Sequence, residues 1–248
     1  MKTIKTSEDF KLTREYFGLV EDDNDGTKIW GFENESQDRE VISQSLEHAT
    51  KGGCFGYVHK GIIVVKDGDV AFMVEAGFWF STRQVPTISF VEGEYRVVVW
   101  QLEDYTGSLS SGLVEDEGKL NYIDGCKDTM LHAPIKFGDP CLNALYMPSG
   151  VDQTAHTHPS TRTGFIIKGG ARCETPAGTF DLEEGEIFFL RKEALHKFRT
   201  DHAEDINMKL VAYHPDSDFG PTDEIHPMIN RTMVEGVSAS TLKDIQTK

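Results

Sequence analysis

The sequence predicts an all-β protein, a sandwich or small barrels rather than a helical or α/β domain. Three observations carry that expectation. Glycine is frequent, 23 residues in 248, and falls at short intervals. Between the glycines lie β-branched and aromatic runs of strand length. Helical periodicity is thin throughout.

The elements follow in order. Gly61 to Val65 reads as a strand, and Asp67-Gly68 is a dipeptide suited to a type I′ turn. Val70 to Val74, a turn at Glu75-Ala76-Gly77 and Phe78 to Phe80 continue the pattern. Thr87 to Phe90, a turn at Glu92-Gly93 and the run Tyr95 to Trp100 complete a first block. Residues 103–140 are mixed, with turns at Glu117-Gly118 and Asp124-Gly125. A second block has strands at Phe165 to Lys168, Ala171 to Thr175, Thr179 to Leu182, Ile187 to Leu190 and Asn207 to Tyr213. Turns are expected between them at Gly169-Gly170, Pro176-Ala177-Gly178 and Glu183-Glu184-Gly185. The blocks lie about 100 residues apart, a spacing that fits an internal duplication. Two short helices are expected, Ser43 to Thr50 and Thr241 to Gln246, the latter with Ser240 as N-cap. From His214 through Pro221 and Pro227 to Asn230 the chain is dense in Pro, Asp and Gly. It reads as an irregular tail that wraps over a barrel, its Phe219, Ile225, Met228 and Ile229 burying against something.

Composition narrows the function. Twenty-five basic against 41 acidic residues give a net charge of −16. That balance argues against nucleic acid or an anionic membrane as partner, since both require a basic face. No apolar run approaches the ~18 residues needed to cross a bilayer, and the N-terminal residues turn polar without the apolar stretch of a secretory signal. Cys54, Cys126, Cys141 and Cys173 form no CxxC pair and read as buried, reduced thiols of a cytoplasmic protein. Glu21 to Gly26 resembles a calcium loop only superficially and reads as a solvated acidic turn.

The chemistry sits after Gly150, in G-V-D-Q-T-A-H-T-H-P. On extended backbone His156 and His158 project from one face. Two neutral imidazoles a few ångströms apart suit Fe, Cu, Ni or Zn. His196, after the apolar run Ile187 to Leu190, can join them by antiparallel pairing. His202, His214 and His226 stand in polar, loop-like text, with a role behind the metal ligands or at the substrate as the lesser reading for each; His59 reads as a lone core or surface histidine. Phe165, Phe188, Phe189 and Phe198 alternate with other apolar residues as core.

These residues resemble the cupin superfamily, whose first motif is G-x5-H-x-H-x3-4-E-x6-G and whose second is G-x5-P-x-G-x2-H-x3-N. Gly150, His156, His158 and Gly169 or Gly170 match the first, and Gly185 and His196 the second. The departures are specific. The glutamate slot holds Arg162 or Thr163; the proline, second glycine and asparagine slots hold Arg191, Glu193 and Thr200. The resemblance implies double-stranded β-helix (jelly-roll) barrels in a bicupin arrangement. A degenerate, metal-free barrel would span 1–125, and a metal-binding barrel with the wrapping tail 126–248.

One divalent metal on His156, His158 and His196 is implied, with Fe(II) favoured and Mn, Ni, Zn or Cu as alternatives. Glu174 or Glu193 is a carboxylate that would return to the sphere. A three-histidine set leaves positions open for substrate. The leading activity is an iron-dependent dioxygenase on an anionic or chelating small molecule, with Arg162 anchoring an acidic group. A metal-assisted isomerase or lyase, with Glu174 as base, is the second expectation, and a non-catalytic binding protein the third. The analogy also implies a homodimer.

Overall fold

The structure, a computed structural model, describes residues 5–14, 16–23, 26–35, 43–46, 49, 51–201 and 207–245. Two large antiparallel sheets account for it. The first runs Ser110–Leu113, Phe78–Ser81, Gly53–Asp67, Thr87–Leu102, Thr27–Asn34, Phe17–Asp22. Ser43–Ser45 pairs onto Thr87–Leu102, and Val70–Glu75 onto Gly53–Asp67. The second runs Lys5–Thr6, Phe10–Thr13, Ile187–Leu190, Arg162–Thr175, Met208–His214, Cys141–Met147, Lys127–His132, Leu120–Asn121. Gly178–Glu183 and Lys197–Arg199 pair with the far half of Arg162–Thr175.

One long strand in each sheet serves two layers. Arg162–Thr175 pairs along its first half with Ile187–Leu190 and Met208–His214, then bends and pairs with Gly178–Glu183. Gly169-Gly170, expected to be a turn, is that bend. Gly169 has φ +73, and a Cβ there would lie 1.8 Å from the Asn207 carbonyl oxygen. Only glycine lets the strand turn the corner. Gly61 (φ +80) occupies the corresponding place in Gly53–Asp67, within the register shift between Lys60 and Ile62.

Period-two alternation then divides the second sheet's side chains between two cores. Along Cys141–Met147, Leu145 and Met147 face the interior with Ile166, Phe188 and Leu210. Leu142, Ala144 and Tyr146 face the first sheet's Phe55, Tyr57, Val98 and Trp100. Hence every residue of this strand is buried. Trp100 stacks on Tyr213 with centroids 6.1 Å apart, and its Nε1 donates to Thr163 Oγ1 at 3.3 Å. Of the four phenylalanines expected in the core, Phe165 and Phe189 take this intersheet side, Phe188 and Phe198 the interior.

The helix expectations need correction. Ser43–Ser45 is a strand paired with residues 87–89, and Leu46 packs into the first core; Glu47, His48 and Thr50 lie outside the described residues. Backbone pairing to a neighbouring strand overrides the weak local helical tendency there. Near the C-terminus the turn is a 3₁₀ one, Ala239–Thr241, with Ser238 accepting from Ser240 N at 3.3 Å; Gln246 lies outside the described residues. The Pro-rich tail is irregular to His226 but then forms a short helix, Pro227–Arg231, with His226 as its cap. Its Ile225 and Met228 are exposed rather than buried. Cys54, Cys126, Cys141 and Cys173 are buried and free. No helix of the described residues is long and apolar enough to cross a membrane.

Candidate metal centre

His156 and His196 are brought together by their own backbones. Each N–H donates to the other's carbonyl, at 2.9 and 3.0 Å, a hydrogen-bonded antiparallel pair that sets the side chains adjacent. His158, two residues on, projects to the same side. The ring centroids lie 5.0 Å (His156–His158), 4.6 Å (His156–His196) and 5.2 Å (His158–His196) apart. One ring nitrogen from each falls within 4.8 Å of the others.

The tautomers follow from the partners. His156 Nδ1 lies 2.8 Å from the Thr154 carbonyl, and His196 Nδ1 2.9 Å from the Ala194 carbonyl. A carbonyl only accepts, so both Nδ1 atoms carry the proton and both Nε2 lone pairs are free. Burial, helped by Arg162 and the neighbouring rings, lowers His158 to about 3. Burial likewise lowers His196 to about 4. Converging imidazoles, two of them oriented by their Nδ1–H groups, are what a divalent cation requires, so the residues present fit the metal.

The family slots that this chain fills differently keep structural work. Glu193, in the glycine slot, has φ +58, and its N–H donates to the His158 carbonyl at 2.9 Å. The position therefore calls for left-handed backbone, which glycine adopts freely and glutamate at a cost. Its carboxylate accepts from Thr157 Oγ1 at 3.2 Å. Thr200, in the asparagine slot, donates to the Pro148 carbonyl at 2.6 Å and accepts from Val151 N at 2.9 Å, anchoring the segment that leads to the histidines.

The three histidines open onto a cavity of about 570 Å³ inside the second sheet's barrel. Arg162 lines it, with a side chain only 13% exposed. Its Nη1 donates to Ser160 Oγ and to the Thr161 carbonyl and lies 3.6 Å from Asp216 Oδ1. Its Nε is buried with no hydrogen-bond partner among the described residues. Glu174 is not brought to the site. Cys173 points into the core, so its neighbour points out, where Glu174 meets Lys197 at 3.3 Å and Arg199 at 3.9 Å.

Three further cavity residues escape motif reasoning. His214, expected on a loop, ends the strand Met208–His214 and lines the cavity, its pKa pushed far down by burial and by Arg162 and His158. Asp128 and Asn143 line it as well and are hydrogen-bonded to each other. The tail contributes Asp216, Ser217, Asp218 and Phe219, held by Gly138 N–H donating to the Ser217 carbonyl at 3.1 Å. His202 lies outside the described residues. Asp23, in the expected solvated turn, is instead buried and accepts from Thr161 Oγ1 at 2.7 Å, beside Arg162; Asn24 and Asp25 lie outside the described residues.

The AraC-like ligand binding domain family matches residues 148–234, the stretch that carries the histidines. Among solved structures, a cupin 2 conserved barrel domain protein from Leptotrichia buccalis superposes with a TM-score of 0.56. It has 12% identity and covers 84% of this chain and 90% of that one. The chain has the cupin fold. Other structures sharing this cupin architecture are enzymes. A variant of salicylate 1,2-dioxygenase from Pseudoaminobacter salicylatoxidans gives 0.56 at 10% identity over 76% of this chain and 70% of that one. A variant of Bacillus subtilis oxalate decarboxylase gives 0.52 at 12% identity over 90% and 78%. No curated protein sequence matches the chain.

Proposed function

We propose that this is a metal-dependent cupin enzyme, built as two barrels, that acts on a small chelating organic molecule, with iron-dependent dioxygenation as its reaction. The observation that carries the reading is the histidine triad, two of whose Nδ1–H groups are tied to backbone carbonyls while the free nitrogens face a cavity large enough for a small ligand. Bound there, a divalent metal would supply Lewis acidity and, as iron, one-electron chemistry toward dioxygen.

The chain's own part is binding and exclusion of water. His156, His158 and His196 would hold the cation through Nε2. Phe188, Leu190 and Leu210 present an apolar wall that favours a carbon skeleton over solvent. Arg162 would orient a carboxylate or enolate oxygen, in competition with Asp216. Metal-assisted isomerisation or elimination is the second reading. Asp128, not Glu174, is a carboxylate the cavity offers it.

Elemental analysis of the purified protein, followed by oxygen-electrode traces with chelating aromatic acids and 2-oxo acids, tests the assignment. One iron per chain with substrate-dependent oxygen uptake is the expected result. Bound metal with substrate turnover but no uptake would move the protein to the second reading. His158→Ala should lose the metal and keep the fold, since the barrel cores do not include that ring; full metal occupancy in that variant would remove the ligand set.

A further inference from the structure

The cavity lining beyond the histidines is not neutral. Asp128 sits on the inward face of Lys127–His132, in register with Leu145 and, through it, Leu210, both of which are buried and apolar. A carboxyl group in such a row costs stability, and burial raises its pKa to about 6. One oxygen accepts from Asn143 Nδ2; the other takes no hydrogen bond from any described residue. The Asn143 Oδ1 is itself buried with no partner among the described residues. No described cation pairs with Asp128, whereas Asp216 is held by Arg162 and Asp218 is exposed.

The charges also sum in one direction. Arg162 is the one Arg or Lys among the described residues lining the cavity, and Asp128, Asp216 and Asp218 line it too. A divalent metal on the histidines would bring that lining close to neutrality. A ligand with an anionic chelating end and no balancing charge would then meet an unpartnered carboxylate along its length. A ligand carrying its own cation would not.

We propose that Asp128, backed by Asn143, is a specificity-determining residue that receives an ammonium group at the far end of a metal-chelating, zwitterionic substrate. This rests on the metal reading above and deepens it: the substrate class becomes an amino-bearing chelator rather than a simple organic anion. A purely structural Asp128–Asn143 pair would not discriminate among ligands that share a chelating head.

The test is calorimetric titration of the zinc-loaded protein with straight-chain alkanehydroxamates of three to six carbons, each compared with its ω-ammonium counterpart. The series varies the length of the ligand with one fixed metal-binding head. In the wild type, at least one ω-ammonium compound should bind about tenfold or more tightly than its unsubstituted partner. In Asp128→Asn, which keeps shape and removes charge, that preference should vanish while the plain hydroxamates change by less than about twofold. No ammonium preference at any length, or a preference retained in the variant, would overturn the assignment of Asp128 and leave the metal site standing. Failure of the protein to take up zinc at the three histidines would overturn the metal reading, and this proposal with it; a zinc-loaded protein that binds no hydroxamate of either kind would overturn the chelating-substrate reading, and again this proposal.

Discussion

The two halves of the molecule share a framework and differ in what fills it. Gly56 lies against Phe80 in the first sheet as Gly164 lies against Phe188 in the second. A Cβ would meet the ring at 2.2 Å in one and 2.6 Å in the other. Gly61 and Gly169 turn the same corner. Counted from those glycines, the position of His196 falls on Ile88, a fully buried member of an apolar cluster with Trp30, Ile63, Phe80 and Val97. The H-x-H positions fall on His48 and Thr50, outside the described residues, not near Gly53 and Phe55 as an alignment of turns would place them. One interior is filled by side chains; the other is lined by histidines, Asp128, Asn143 and Arg162 and holds space. A barrel of this size fills itself when its inward positions are large and apolar, and keeps a ligand site only where polar residues interrupt that set.

The largest expected contrast comes from truncating the equivalent positions. Ile88→Ala should cost roughly 2–4 kcal/mol in urea unfolding, because the tightly packed first core leaves a void. His196→Ala, beside existing cavity space, should cost under about 1 kcal/mol in the metal-free protein and abolish metal uptake. Equal losses would mean the two interiors are packed alike.

Asp128 sharpens the same contrast through pH. Its folded pKa of about 6 lies above the ordinary 3.8, so the folded state holds the proton more tightly than the unfolded chain. The stabilising contribution is complete below pH ~4 and is lost as pH rises through about 6. Asp128→Asn should therefore be more stable than wild type at pH 7.5 by on the order of 1–2 kcal/mol, the cavity's solvent access reducing the full linkage value. At pH 4 the two should coincide. A wild-type-like variant at pH 7.5 would show that the carboxylate is not penalised. Smallest is Glu193→Gly. Relieving a left-handed glutamate should raise stability by a few tenths of a kcal/mol to about 1 kcal/mol in thermal unfolding, with metal affinity unchanged.

The strand positions of the two blocks and the histidine triad were legible because both depend on local spacing. His156 and His158 share a face by period two, and the run Ile187–Leu190 carries His196 back beside them. Gly169-Gly170 misled because a bend inside one strand and a turn between two use the same residue. Asp128 and Asn143 left a faint signal: in Cys141–Met147 the inward series Cys141, Asn143, Leu145, Met147 has one polar member. His214 left none, since the strand's end is fixed by pairing with Cys141, more than 70 residues away. Glu174 failed because alternation decides its direction and motif counting ignores direction.

The strand Phe10–Thr13 lies beside Ile187–Leu190, with Phe10 and Leu12 seated in the second sheet's core. On the ribosome that early segment cannot find its partner until most of the protein has emerged. Assembly of the first sheet can precede it, so the docking of Phe10 and Leu12 belongs to the closing stage of folding. Those two apolar side chains stay exposed to chaperones, or to another chain's unpaired edge, through that interval.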